Sequence, residues 1–428
     1  MASSTTTKVP YKVDVTGFKL VPATPEQDLE ATKREWTEWG HPHLTLDQFI
    51  QREKEVLAPT DFSATRRQRW VLVPDNDADA DADDETDDFL AACETYRRPI
   101  MLANPDQPGE VRRAISYSVC SVFVPKEKRM FGYASKMMTL LQHALNPAAE
   151  TPEDYTRGQV ANSQALVLPL GADHGEGKRH GGDATCSYLY SDVGEYYSTF
   201  GWRVVGNRHV EWPASVSTDA QQASLPATAR WLKPEELYEI GRLDREYLRV
   251  QLLSRPSSAV RFAVDDPEAT SWRWLIKRSS FYASILIPAD QPHPEFFGLL
   301  LPGDEPSYAV WMLDLVNRKI SVLRLRFSSI ETLQQLVSAL QSQAAKFGLE
   351  KVMAWNVDLP SLGVQLSQDD EAKLSQGVKL DQYRQQLAGG DVAERSGRSA
   401  SLPALAYYGD RKLNQPVEWV CNEYGWWC

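Results

Sequence analysis

The sequence predicts two successive mixed α/β domains, and three observations predict them. Runs of β-forming residues alternate with amphipathic helical stretches through residues 1–213. A Ser/Thr/Ala-rich stretch at 214–229 then reads as a linker. Beyond it, residues 230–428 carry a β-β-β-α-β order that reads as a degenerate copy of the first domain. A length of 428 residues with 42% hydrophobic content suits two or three domains of this kind.

In the first domain, Phe18 to Val21 reads as a strand. Thr24 caps and Pro25 opens a helix from Glu26 to Trp39, which Gly40 and His41-Pro42-His43 break. A second helix spans Leu46 to Leu57, and Arg69 to Val73 reads as a strand. Residues 75–88 hold eight Asp and one Glu without Lys or Arg, so a solvated, disordered acidic insertion is expected there. Arg98 to Leu102 and the long β-forming run Ala114 to Val124 follow as strands. The basic turn Lys126-Glu127-Lys128-Arg129 and Gly132 lead to a helix from Tyr133 to Leu145. Its apolar residues Ala134, Met137, Met138, Leu141 and Leu145 share one face. Residues 146–183 form a Pro- and Gly-rich insertion with one strand-like piece, Ala165 to Leu168. Thr185 to Tyr190 is a strand, Asp192 caps a short helix from Val193 to Phe200, Gly201 ends it, and Trp202 begins a last strand.

In the second domain a helix passes through Pro234 to Leu237, and Phe281 to Ile287 is strand-like. Phe296 to Leu301, Tyr308 to Leu315 and Lys319 to Phe327 read as antiparallel strands, with a turn at Val316-Asn317-Arg318. Ser328-Ser329-Ile330-Glu331 opens a helix that Gly348 stops, and Lys351 to Val357 is the next strand. No Arg-x-x-Gly-x-Ala turn occurs here, so no cofactor is assigned to this half.

Composition narrows the function. The net charge is −12, but nine of those charges sit in the acidic insertion, leaving −3 for the rest. An acidic chain without a basic stripe does not bind nucleic acid, whose phosphates dominate such affinity. No run is long and apolar enough to span a bilayer, and the N-terminus has no signal core, so a cytoplasmic protein is expected. The five cysteines are scattered without metal-ligand spacing, so reduced thiols and no metal are expected.

Two motifs carry chemistry. In the first, a strand, a basic turn, a glycine and a helix follow one another at residues 121–135. A pyrophosphate needs several backbone N–H groups converging at a positive helix end, and a glycine lets the backbone approach it. In the second, Ser191 to Trp202 holds Tyr196-Tyr197 before Phe200-Gly201-Trp202. A phenol there can protonate a departing thiolate, while Tyr196, one residue back, is expected in the core. Glu195 is a base by proximity only, and His143, His174 and His180 give no pattern. The chain ends on Tyr424-Gly425-Trp426-Trp427-Cys428, aromatics that must bury on something. They either dock as a terminal strand or reach the site.

The segment Ser121 to Ser135 resembles the acetyl-CoA motif of the GNAT N-acetyltransferases, and Ser191 to Trp202 resembles that family's later motif. The resemblance implies a GNAT fold with a mixed central sheet, followed by a second GNAT-like α+β domain. It further implies that Val122 and Val124 make main-chain bonds to the pantetheine arm, with Phe123 also in the cofactor site, and that Arg129, Met130, Phe131, Gly132, Tyr133, Ala134 and Ser135 hold the pyrophosphate. Tyr197 would be the general acid and the Cys428 carboxylate a base. Met130 and Phe131 depart from the family's small or basic residues, which makes the turn bulkier and leaves fewer cationic contacts. Phe262 to Asp266, Trp274-Leu275-Ile276 and the aromatic end resemble the fungal lysine N6-acetyltransferases of lysine degradation, implying free L-lysine as acceptor and acetyl-CoA as co-substrate. A protein or peptide acetyltransferase and a non-catalytic acetyl-CoA-binding regulator are the alternatives.

Overall fold

A computed structural model describes residues 13–75, 86–146, 181–215, 225–254, 257–409 and 416–428. Most of the acidic insertion, the Ala165 to Leu168 piece and most of the 214–229 linker lie outside these residues. The first half runs β1 (Phe18–Pro22), α1 (Pro25–Trp39), α2 (Leu46–Gln51, continued by a π turn to Leu57), β2 (Arg67–Pro74), β3 (Ala91–Ala103), β4 (Arg112–Phe123), α3 (Tyr133–Leu145), β5 (Cys186–Val193), β6 (Arg203–Val204) and β7 (Arg208–Pro213). Thr24 caps α1 as its residue type dictates, its hydroxyl accepting from Gln27 N while the Gln27 side chain returns to Thr24 N.

The second half runs β8 (Arg230–Leu232), α4 (Tyr238–Ser254), β9 (Val260–Val264), α5 (Thr270–Leu286), β10 (Gly298–Leu301), β11 (Ser307–Asp314), β12 (Lys319–Arg326), α6 (Ile330–Lys346), β13 (Lys351–Trp355), α7 (Gln368–Ser375), β14 (Asp391–Glu394), β15 (Arg398–Tyr407) and β16 (Val417–Trp419). The chain is thus mixed α/β, and both halves carry a strand, a helix and a parallel strand in succession.

Sheet membership crosses the boundary placed at 214–229. The first sheet has the order β1-β2-β3-β4-β5-β15-β6, with β9 also on β3 and β16 on β9. The second is β14-β7-β13-β12-β11-β10-β8. So β7 leaves the first half for the second sheet, while β9, β15 and β16 return to the first. The long β3 makes the return possible: β2 covers residues 91–96, and β9 takes the same edge at 100–103.

Two expected elements are corrected. Phe281 to Ile287 is the end of helix α5, not a strand, because Trp272, Leu275, Ile276, Ser279 and Ala283 bury one face at helical spacing. The helix expected from Val193 to Phe200 is only a 3₁₀ turn, Tyr196–Phe200, because β5 runs on through Val193 and Gly194 turns the chain at φ 65°. Asp192 does not cap it; its carboxylate accepts from the Ser401 backbone N–H and hydroxyl on β15.

Candidate active site

Strand β4 sets the geometry. It pairs with β3 from Leu102↔Arg112 to Glu94↔Cys120, then slips so that Ala92 faces Phe123. The extra residue in β4 is a bulge, and Ser121 takes a left-handed φ of 51° in it. Parallel pairing of β4 with β5 covers only Ser116–Val119 against Cys186–Leu189. Past those four pairs the strands diverge, β5 continues along β15, and residues 120–124 keep an edge open toward the gap.

The chain leaves β4 through a 3₁₀ turn at Lys126–Lys128 and enters α3 at Gly132, where φ is 79°. No side chain caps this helix, and its first amide with a helical acceptor is Lys136 N, which donates to Gly132 O at 3.0 Å. The amides of Tyr133, Ala134 and Ser135 are therefore left for an anion at the positive helix end. A Cβ at Gly132 would meet nothing within 4 Å, so the residue is needed for its left-handed backbone rather than for space. Met130 is fully exposed, and Phe131 stacks on Tyr133, which itself meets Phe18. The Arg129 guanidinium donates to Val124 O at 3.0 Å and to Glu38 at 2.8 Å, tying the turn to the strand end and to α1.

A cleft of about 1340 Å³ lies between the halves. Of the residues singled out in the sequence, Val122, Phe123, Val124, Arg129, Tyr197 and Cys428 line it; Met130 to Ser135 do not. Tyr197 stands in the 3₁₀ turn with its hydroxyl pushed up by burial, so the phenol keeps its proton at neutral pH. Three residues per turn put Tyr197 and Phe200 inward together. Tyr196 is consequently exposed rather than in the core, and its hydroxyl meets Ser135 Oγ at 3.1 Å. Glu195 is exposed, and neither it nor His143 lines the cleft; His174 and His180 lie outside the described residues.

The chain's end reaches the cleft. After β16, Glu423 accepts from Leu325 N at 2.8 Å and pairs with Arg324, and Gly425 packs so closely that a Cβ would stand 2.6 Å from Leu323 O. Tyr424 stacks on Trp427 at 5.8 Å, and Cys428 follows. Cys120 Sγ donates to Glu94 Oε2 at 3.7 Å, and Cys120 and Cys428 both line the cleft.

Sequence reasoning missed Glu94 and Arg98. Glu94 is buried at the slip in register, accepts from Ser121 Oγ at 3.2 Å, and is held by Arg67 and Arg69. Burial opposes its charge, but the two arginines outweigh burial and hold its carboxyl below the usual range. Arg98 is buried with none of its guanidinium nitrogens hydrogen-bonded, and stands over the Phe62 ring at 4.6 Å. The alternation of charge in Arg67-Gln68-Arg69 was the one local sign of such a buried network.

The model of the LYC1 GNAT-like C-terminal domain matches residues 209–428, just over half of the chain. A lysine acetyltransferase from Yarrowia lipolytica is 23% identical over 420 residues, covering 91% of this chain and 95% of that one. Among solved structures, a probable N-acyltransferase from Enterococcus faecalis aligns with a TM-score of 0.46 at 9% identity, over 92% of this chain and 73% of that one. A GCN5-related N-acetyltransferase from Kribbella flavida aligns with a TM-score of 0.42 at 14% identity, over 92% and 84%. Among the described residues, no group of side chains is placed to hold a metal, and no helix is long and apolar enough to cross a membrane.

Proposed function

This chain belongs to the LYC1 GNAT-like family and is an N-acetyltransferase, and we propose that it moves acetyl from acetyl-CoA to the ε-amine of free L-lysine, directly within a ternary complex. The observation that carries the reading is that Val122, Tyr197 and the terminal Cys428 wall one cleft. The open edge of β4 past Val119 suits the pantetheine arm, which would add there as a short strand. The amides of Tyr133, Ala134 and Ser135 take the pyrophosphate. The reacting carbonyl then lies at the bulge, its oxygen held by a backbone N–H near Val122.

Tyr197 donates its proton to the departing thiolate, whose free pKa is about 8.5. The amine must lose a proton. A free lysine ε-amine has a pKa of about 10.4, so deprotonation near pH 7.5 costs roughly 4 kcal/mol. The Cys428 carboxylate takes that proton. A free amino acid also needs an anion for its α-ammonium and a cation for its carboxylate. Glu35, Glu53 and Asp314 supply one sign along the cleft, and Arg52, Arg278 and Arg395 the other. Closure by the second half and the tail favours a small amine over a protein chain. The resemblance to the fungal lysine N6-acetyltransferases supports a role in lysine degradation.

The test is release of free thiol from acetyl-CoA across lysine, other amino acids, polyamines and peptides. Lysine is expected to give the highest kcat/KM. Equal turnover of all amines would sink the lysine assignment, and labelling of peptides alone would move the function to protein acetylation.

A further inference from the structure

We propose that Arg395 binds the α-carboxylate of the acceptor and thereby selects amino acids over amines that lack one, an assignment that rests on the acceptor being a free amino acid. Arg52 and Arg395 are the buried cations along the cleft. Arg52 is paired with Glu53. Arg395, only 7% exposed, has backbone carbonyls as its partners. Its Nη1 donates to Ser401 O at 2.6 Å and to Ala400 O at 3.4 Å, and its Nη2 to Gly206 O at 3.4 Å. Its Nε has no hydrogen-bond partner among the described residues. A buried cation without a counter-charge is costly, and an anion entering from the cleft relieves that cost.

The residue is held in place on every side but one. Strand β14 ends at Glu394, and Asn207 then fixes the Arg395 backbone. Asn207 O accepts from Arg395 N at 2.8 Å, and Asn207 Nδ2 donates to Arg395 O at 3.2 Å. The guanidinium stands over the Trp355 ring at 3.6 Å, so the indole covers it. The Nε–Nη2 edge is what remains, since Nη2 carries a second hydrogen beside its long contact to Gly206 O. Arg112 and Arg384 grip Glu110 and Asp391 by the same edge, with two parallel bonds each. Burial pushes the Arg395 pKa down to about 10, against the pull of Tyr190 and Tyr424, so it stays charged at neutral pH.

Aromatic rings connect this receptor to the chain's end. Tyr190 stands 5.7 Å from Trp355, Trp355 4.4 Å from Tyr424, and Tyr424 stacks on Trp427 at 5.8 Å, with Cys428 next. All of them line the cleft. An apolar wall with a cation at one end and a carboxylate at the other matches an amino acid with an aliphatic stem and a distal amine. The acceptor's carboxylate sits on Arg395, its methylenes lie along the rings, and its amine points to the Cys428 end.

The experiment measures thiol release by the full chain with lysine, lysinamide and cadaverine, and with ornithine and putrescine as a second pair. Lysinamide and cadaverine keep the ε-amine and lack the carboxylate. The wild type should favour lysine over both by about 10–100-fold in kcat/KM, the worth of a charge-assisted bond. Arg395→Met keeps the packing on Trp355 without donors. It should raise the lysine KM by a similar factor, leave cadaverine unchanged, and bring the lysine-to-cadaverine ratio near one. Arg395→Lys, with the charge but not the fork, should recover part of that ratio. Urea unfolding of each variant separates stability from selectivity. A merely structural role would lower all three acceptors alike, and that result would overturn the proposal. So would a wild type indifferent to the carboxylate, or an Arg395→Met variant that still discriminates. If ornithine outran lysine and Arg395→Met abolished its advantage over putrescine, the lysine assignment would fall and Arg395 would stand. If no amine were turned over, calorimetric binding of lysine in the presence of CoA decides: loss in Arg395→Met supports the receptor, and equal binding overturns it.

Discussion

The two halves repeat one device and use it differently. In each, a strand passes through a helix to a parallel neighbour: β4 to α3 to β5, and β12 to α6 to β13, with four parallel pairs each. Each outgoing strand also carries a register slip, at Cys120–Phe123 in β4 and at Val322–Arg324 in β12. The helix starts differ. Gly132 leaves the first turn of α3 uncapped, whereas Ser329 and Thr332 close a reciprocal cap on α6. The slip in β12 is also filled by the chain's own tail, through Glu423 on Leu325 and Gly425 against Leu323. The second repeat thus closes the helix start and the strand slip that the first leaves open, with two hydroxyls and one plug and no change of topology.

This comparison can be broken at several points. Expressing residues 1–213 alone should give no cooperatively folding protein by circular dichroism and urea titration, because the fragment lacks β15 beside β5 and β9 beside β3. A folded fragment would make the exchange of strands incidental. Tyr197→Phe should lower kcat by about 10²–10⁴-fold with little change in the acetyl-CoA KM, as expected for loss of a general acid. A raised KM with kcat intact would assign the ring to packing.

Arg324→Met tests the plug. It strips the counter-charge from buried Glu423 and Asp244 and should cost about 3–5 kcal/mol in urea unfolding. Loss of turnover at temperatures where the variant stays folded would show that the tail must be docked for transfer. The smallest effects come from the two helix starts. Gly132→Ala puts a Cβ on a left-handed residue and should cost roughly 1–2 kcal/mol, felt chiefly as a higher acetyl-CoA KM. Ser329→Ala should cost about 1 kcal/mol of stability and leave that KM unchanged. If both variants moved the KM alike, the contrast between the repeats would collapse.

What could be read in advance follows from how local each feature is. The β4–Gly132–α3 segment was legible because strand, turn and helix start are all written within residues 112–145. The start of α6 was legible for the same reason, but its cap is Ser329 with Thr332 rather than the Ser328 and Glu331 that the sequence pattern suggests, one residue earlier. Helix α5 was misread at Phe281–Ile287, where β-forming residue types masked a helical spacing set further upstream by Trp272 and Leu275. The return of β15 to β5 could not be read, since Tyr190 meets Pro403 across about half of the chain. Glu94 and Arg98 were equally silent. A charge in a β-rich run looks like an outward residue until the element covering it is known.

The exchange of strands also has a consequence in time. A domain at the front of a chain ordinarily folds while the remainder is still being synthesised. Here β5 ends at Val193, but its neighbour β15 begins only at Arg398. At elongation rates of about 5–20 residues per second, the β5 edge waits roughly 10–40 s for its partner. Over that interval the nascent chain presents an unpaired, aromatic-rich edge, the kind of surface that recruits chaperones or aggregates.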